Sequence, residues 1–264
     1  MKNMPKVLTI AGSDPSGGAG IQADIKVFQS LGVYGLSAIT CITSQAPGFV
    51  HSISPVSGEH IANQIKTLSD HYSIAAIKLG LLNTTESINA ILCSLNKFKN
   101  SPPLIIDPII ESSKGTILLE SKALELYKRE LLPIASLYTP NLNEAEILLG
   151  LKNSDQEEMG KNLFKSFKSP VLLKGGHLNN DKARDIFVDQ NGITAFDSDR
   201  IKDIDPHGTG CFYSASICAL VALGYPIKEA ISKSKKIIFE AISKSENLGG
   251  ITNTLNYDFK EFLA

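Results

Sequence analysis

The chain has no surplus of positive charge, no paired-cysteine spacing and no apolar run long enough to cross a bilayer. Each absence excludes something. A formal net charge of −1 leaves no basic stripe for a nucleic-acid backbone. The four cysteines, Cys41, Cys93, Cys211 and Cys218, follow neither a C-x-x-C nor a zinc-ligand pattern, and read as reduced thiols of a cytoplasmic protein. No segment approaches the roughly 20 apolar residues that a membrane-spanning helix needs. Val7 to Ala11 follows Lys2 and Lys6, but is too short for a secretory signal and runs straight into glycines. No internal repeat, low-complexity run or interdomain linker breaks the chain. At 264 residues, 43% hydrophobic and 20% charged, the composition suits one α/β domain over residues 1–264.

What is present is a regular alternation of strand and helix. Lys6–Ala11 reads as a buried strand, the glycine-rich stretch Gly12–Gly20 as a loop, and Ile21–Phe28 as a helix. Leu36–Thr43 and Val50–Val56 read as two strands around a turn, a hairpin that could act as a lid. Helices are expected over 58–70, 84–97, 120–130, 143–149 and 155–167, with strands over 75–80, 104–107, 136–139 and 170–174. Near-continuous apolar strands in this order predict a parallel sheet covered on both faces. Residues 184–189 and 193–197 flank Asn191-Gly192 and read as an antiparallel edge hairpin. Helices follow over 209–223 and after Pro226.

The chemistry-bearing residues fall where strands end, the place where open α/β sheets collect ligands. Gly12-Ser13-Asp14-Pro15-Ser16-Gly17-Gly18-Ala19-Gly20 is a strand-to-helix turn suited to a small ligand or phosphate. It is neither a P-loop, since no Gly-Lys-Ser/Thr follows, nor a clean dinucleotide fingerprint. His207-Gly208-Thr209-Gly210-Cys211 opens an apolar helix. The free N–H groups and dipole of that first turn would hold an anion and ease ionisation of the Cys211 thiol. Asp107 ends a strand, and Asn141 and Glu144 stand three apart at a helix start. These three either supply oxygens to a hydrated Mg²⁺, or, for the latter two, form a helix cap. Lys174 ends a strand before Gly175-Gly176 and could meet phosphate oxygens. Gln45 could read a heterocycle through its amide or be a solvated turn residue. Lys78, inside an apolar strand, reads as structural.

These motifs, with Lys78-Leu79-Gly80-Leu81-Leu82, Asp107-Pro108, Thr139-Pro140-Asn141-Leu142-Asn143-Glu144 and Lys174-Gly175-Gly176-His177, resemble the ribokinase-like superfamily. Within it they are similar to the hydroxymethylpyrimidine/phosphomethylpyrimidine kinase family, over about residues 5–245. The resemblance implies a ribokinase-like three-layer sandwich with a mostly parallel sheet and a small β lid. It also implies transfer of the ATP γ-phosphoryl group, with Mg²⁺, to a small pyrimidine and then to its monophosphate, in thiamin biosynthesis. On that likeness Cys211 takes the hydroxyl proton, while the N–H groups of Gly208, Thr209, Gly210 and Cys211 stabilise the transferring phosphoryl. Asp24 and Gln45 match pyrimidine contacts beside Gly12 and Ala19, Leu81 and Ile109 line the ring, and Lys174 with Asn141 and Thr209 faces phosphates. Three departures surround the site. The Asp107–Gly115 run shifts Lys114 by one residue from the family pattern, Ala46-Pro47-Gly48 follows Gln45, and Asp205-Pro206 precedes His207. Pyridoxal kinase is the nearest alternative. A catalytically silent pyrimidine-binding protein would be expected to have lost Cys211 or the Asn141/Glu144 pair. The exposed edge hairpin leads us to expect a homodimer.

Overall fold

The computed structural model describes residues 4–259 apart from 99, 113, 153–154, 177–181, 202–203, 205 and 249–251. His177 and Asp205 therefore lie outside the described residues. A sheet of nine strands forms, in the order β3-β2-β1-β4-β5-β6-β7-β8-β9. The strands are β1 (Lys6–Ser13), β2 (Tyr34–Ala46), β3 (Phe49–Pro55), β4 (Ile74–Leu79), β5 (Leu104–Ile106), β6 (Leu137–Tyr138), β7 (Val171–Leu173), β8 (Lys182–Asp189) and β9 (Gly192–Asp199). The six from β2 to β7 run parallel, and β3, β8 and β9 join antiparallel at the two edges. Both expected hairpins are present.

Side chains alternate across a strand, so neighbours serve opposite faces. Leu8, Ile77, Ile106 and Leu173 belong to one core, while Val7, Ala76, Ile105 and Leu172 belong to the other. The first core is closed by α2 (Gly58–His71), α3 (Thr85–Leu95), α4 (Ser121–Leu126), α5 (Leu142–Leu149) and α6 (Gln156–Phe167). The second is closed by α1 (Gly20–Ser30), α7 (Thr209–Ala222) and α8 (Ile227–Ser243). This is the three-layer sandwich implied by the sequence. One element differs: the helix expected over 120–130 is α-helical only to Leu126 and widens into a π turn over Tyr127–Leu131. The wider turn carries both Tyr127 and Leu131 into the core, and Pro133 sits at the start of the 3₁₀ turn Leu132–Ile134 that follows.

Two features place the site. α7 is buried from Cys211 to Leu220, which explains its small residues, and its N-terminus points out where the parallel strands end. β2 outruns its partner β1, pairing with it only to Ile42 while Cys41–Ala46 pairs with β3, so the hairpin stands beyond the sheet. Among the described residues no helix is long and apolar enough to cross a membrane, and the four cysteines are free.

Candidate active site

The glycine-rich loop and the α7 turn, almost two hundred residues apart in sequence, are packed against each other. Asp14 organises the joint. One of its oxygens accepts from Ser16 N (2.8 Å) and Ser16 Oγ (2.7 Å), and the other from Ala19 N (2.8 Å), with His207 Nε2 at 3.2 Å. Burial works against this carboxylate, but His207, Ser16 and Ala19 prevail and hold it at about 2. Gly208 has φ +87°, and a Cβ there would run into the carbonyl oxygen of Gly18. Glycine is required at that position on both counts. No side chain caps the start of α7, so its first amides point out of the helix without a side-chain partner.

Behind this joint lies a charged centre. Lys174 Nζ donates to Asp107 Oδ1 (3.0 Å), which also receives Thr139 Oγ1 (3.2 Å), while Ser214 Oγ donates to Oδ2 (3.2 Å). A Cβ on Gly210 would stand 3.4 Å from Lys174 Nζ and 3.6 Å from Asp107 Oδ2, so this pair sits at the first turn of α7. Burial opposes charge on Asp107, yet Lys174 and Lys78 hold its carboxyl below the ordinary value. Asn141 and Glu144 form the reciprocal cap of α5: Asn141 N donates to Glu144 Oε2 (2.7 Å) and Glu144 N to Asn141 Oδ1 (2.9 Å). Burial pushes the Glu144 carboxyl up to about 7, with Asp107 adding to the effect and Lys174 opposing it.

Two expectations need correction. Asp24 does not face a ligand: its side chain is fully buried, with both oxygens 2.9 Å from Lys78 Nζ and one also receiving Thr9 Oγ1. The Cys211 thiol is not eased toward ionisation. Burial pushes it up to about 11, with Asp107 and Asp24 adding to this, and the pull of Lys78 and of a hydrogen bond from Gly20 N–H does not reverse it. The expected metal oxygens have protein partners: Asn141 and Glu144 serve the cap and Asp107 is paired with Lys174, and no group of three His, Cys, Asp or Glu side chains that could hold a metal ion occurs among the described residues.

A cavity opens beside the α7 turn, and an apolar cluster packs behind the glycine-rich loop. Under the β2–β3 hairpin, Cys41, Leu81 and Leu118 form a small apolar cluster with Val50, Ile53 and Ile109. Gly12 packs against it, since a Cβ there would stand 2.8 Å from Cys41 Sγ and 3.2 Å from Leu81 Cδ2. Gln45 lies on the same face of β2 as Cys41 and Thr43, and its amide makes no hydrogen bond among the described residues. On the other side, a cavity of about 460 Å³ is walled by Ile201, Ile204, Pro206, Tyr213, Ile238, Phe239 and Ile242. Its polar mouth carries Asn141, Lys174, Thr209 and Gly210. Asn141, Lys174, Thr209 and Gly210 thus share that mouth, Gly12, Leu81 and Ile109 meet in the apolar cluster, and Ala19 and Cys211 belong to the joint of the glycine-rich loop with α7.

Sequence reasoning missed that cavity and the Lys235–Asp185 ion pair in its wall (2.6 Å, both side chains buried). A lysine on the apolar face of α8, between Ile231 and Ile238, was the available signal.

A phosphomethylpyrimidine kinase family model matches residues 14–256. A hydroxymethylpyrimidine/phosphomethylpyrimidine kinase of Rhizobium meliloti is 39% identical over 245 residues, 91% of each chain. The crystal structure of a phosphomethylpyrimidine kinase from Clostridium difficile superposes with a TM-score of 0.79 at 37% identity, covering 90% of this chain and 99% of the other. Pyridoxal kinase from Staphylococcus aureus, solved with AMP-PCP and pyridoxal, gives a TM-score of 0.86 at 30% identity, covering 97% of this chain and 94% of the other.

Proposed function

The chain belongs to the phosphomethylpyrimidine kinase family, and from that premise we propose how its residues carry the reaction. It is a phosphotransferase of thiamin biosynthesis. ATP gives its γ-phosphoryl group to the 5-hydroxymethyl oxygen of 4-amino-5-hydroxymethyl-2-methylpyrimidine, and then to the monophosphate. One observation supports the residue-level reading: the first turn of α7 and Lys174, paired with Asp107, line a cavity of about 460 Å³.

In this reading the pyrimidine lies against Leu81, Ile109 and Cys41, with Gln45 pairing its ring nitrogen and exocyclic amine. The nucleotide base occupies the apolar wall of Ile204 and Phe239, and its phosphates reach Lys174, Thr209 and the amides of Gly208–Cys211. Those amides need not reorient as negative charge gathers on the transferring group, and such preorganised donors carry most of the work in phosphoryl transfer. The hard oxygens present fit a hydrated Mg²⁺ held chiefly by ATP phosphates, with Glu144 its nearest protein anchor. Such an ion would neutralise phosphate charge. The Glu144 carboxyl, raised to about 7, would ionise more readily beside it.

Cys211 is the proton acceptor in this scheme, and its raised thiol sets a test. With a value of about 11, the ionised fraction rises tenfold per pH unit through the neutral range, so turnover should climb from pH 6.5 to 9. Cys211→Ala should fold and lose most transfer. A flat profile, or near-normal turnover of the alanine variant, removes Cys211 from this role.

We further propose a single kinase domain, a cytoplasmic location and a homodimer joined through the edge hairpin. Similarity to pyridoxal kinases keeps a second substrate in view. A coupled ADP-release assay with Mg-ATP and, separately, hydroxymethylpyrimidine, its monophosphate and pyridoxal distinguishes the two. Turnover on both pyrimidines with little on pyridoxal is expected. Turnover on pyridoxal alone would overturn the substrate assignment.

A further inference from the structure

Resting on the kinase reading, we infer that the segment Asn253–Phe259 is a positioning element of the transfer site, in which Tyr257 holds the glycine-rich loop and the α7 turn in register. The segment adds no strand to the sheet, yet it grips both halves of the site. On the α7 side, His207 N donates to Asn253 O (3.3 Å), and Thr254 forms a bridge with His207 while exchanging two backbone hydrogen bonds with Glu246 (2.8 and 3.1 Å). Phe212, the residue after Cys211, has the Tyr257 ring at 5.5 Å and the Phe259 ring edge-on at 5.2 Å. On the loop side, the ammonium of Lys26 stands 5.1 Å over the Tyr257 ring and donates to Gly17 O at 2.7 Å. Ser30 Oγ fastens the strap to α1 by donating to Tyr257 O.

The two halves that Tyr257 links also meet through the Asp14–His207 pair, the Gly18–Gly208 contact and the hydrogen bond from Gly20 N–H to the Cys211 thiol. A small slip there would misalign amides whose value lies in being fixed before the reaction. The Tyr257 hydroxyl is buried with no hydrogen-bond partner among the described residues, within electrostatic reach of Cys211, Asp24 and Asp14. The ring, not a hydroxyl bond, is therefore what holds.

The test uses the full chain at low temperature. In Tyr257→Leu, kcat should fall about tenfold with KM for ATP and for the pyrimidine within about twofold. Amides of residues 15–20 and 208–212 should exchange hydrogen about tenfold faster, with those of β1 and β4 unchanged. Tyr257→Phe keeps the ring and should restore kcat to within about threefold. A folded Tyr257→Leu protein with normal kcat and normal exchange would overturn the inference. So would acceleration spread evenly over β1 and β4, the mark of general destabilisation. Should Tyr257→Leu not fold, the exposed Lys26→Met replaces it. Faster exchange confined to residues 15–20 is then expected, and unchanged exchange overturns the inference. Exchange is read without substrate, so an inactive wild type would count against the kinase reading alone.

Discussion

Two lysine–aspartate pairs serve neighbouring parallel strands, and they live in opposite surroundings. Lys78, inside β4, meets Asp24 of α1 at 2.9 Å with neither side chain exposed. Lys174, after β7, meets Asp107, after β5, at 3.0 Å, with its side chain 14% exposed at the mouth of the cavity beside α7. The chemistry and the distance are alike; access is what differs. Burial presses the Lys78 ammonium down, but Asp24, and farther off Cys211 and Asp107, outweigh it and keep Lys78 above its ordinary value. That charge has no ligand to meet and acts only through its field. The Lys174 ammonium has three protons and one protein acceptor, so donors remain for a phosphate. The sealed pair should therefore govern stability and the open pair turnover.

The largest expected effect breaks the sealed pair. Lys78→Met leaves a buried carboxylate without its counter-ion and should remove about 3–5 kcal/mol of stability in urea titration. Replacing both partners, Asp24→Leu with Lys78→Met, should recover most of that loss. A single-variant loss below about 1 kcal/mol would mean that water reaches Asp24 and that the pair is not sealed.

The complementary experiment is Lys174→Met. Losing one prearranged donor at the phosphate position should lower kcat/KM for ATP by about 10²–10³-fold. Stability should fall less than for Lys78→Met, because Thr139 and Ser214 still bond Asp107 and the cavity admits water. The comparison collapses if both lysine variants lose stability equally and turnover equally.

Glu144 sharpens the contrast, since it lies beside the open pair and is raised to about 7 mainly by burial. A carboxyl raised in the folded state adds stability that is complete below the unfolded value of about 4.5 and is lost as pH rises through 7. Glu144→Gln keeps the reciprocal cap with Asn141 but removes the ionisation. It should be the more stable protein at pH 8, by at most about 3 kcal/mol, with the advantage gone at pH 4.5. It should also use Mg-ATP less well while binding pyrimidine normally. Equal stability at both pH values would mean that the carboxylate is solvated, and a pyrimidine defect of equal size would undo its proposed metal role.

Much of this was legible in the chain. The β1 strand, the glycine-rich loop and α1 were readable because an apolar run, a string of glycines and a period of about four follow one another without overlap. The pairing of Asp24 was written in two places and combined in neither. Asp24 shares the buried face of α1 with Ala23, Val27 and Phe28, and Lys78 sits in an apolar strand, so each lone charge needed the other. The thiol of Cys211 was misjudged for a different reason. A helix N-terminus is visible in sequence, whereas burial beneath two carboxylates depends on chain segments far away. The cavity walls, drawn from residues 201–206 and from α8, were hidden in the same way.

The smallest effect expected is also the one that locates the work within the open pair. Ser214 Oγ has three acceptors in reach, Asp107 Oδ2 at 3.2 Å, Gly210 O at 3.0 Å and Cys211 O at 3.1 Å, and one proton to give. Ser214→Ala therefore removes one hydrogen bond at most and should cost about 1–2 kcal/mol of stability. Turnover should fall by no more than about threefold, because Lys174 still holds the other oxygen of Asp107 and still faces the cavity. If initial rates instead fell as far as in Lys174→Met, Asp107 Oδ2 would carry the chemical role, with the ammonium acting to hold that carboxylate in place. The open pair would then do its work through its acid, and the sealed pair would remain a matter of stability.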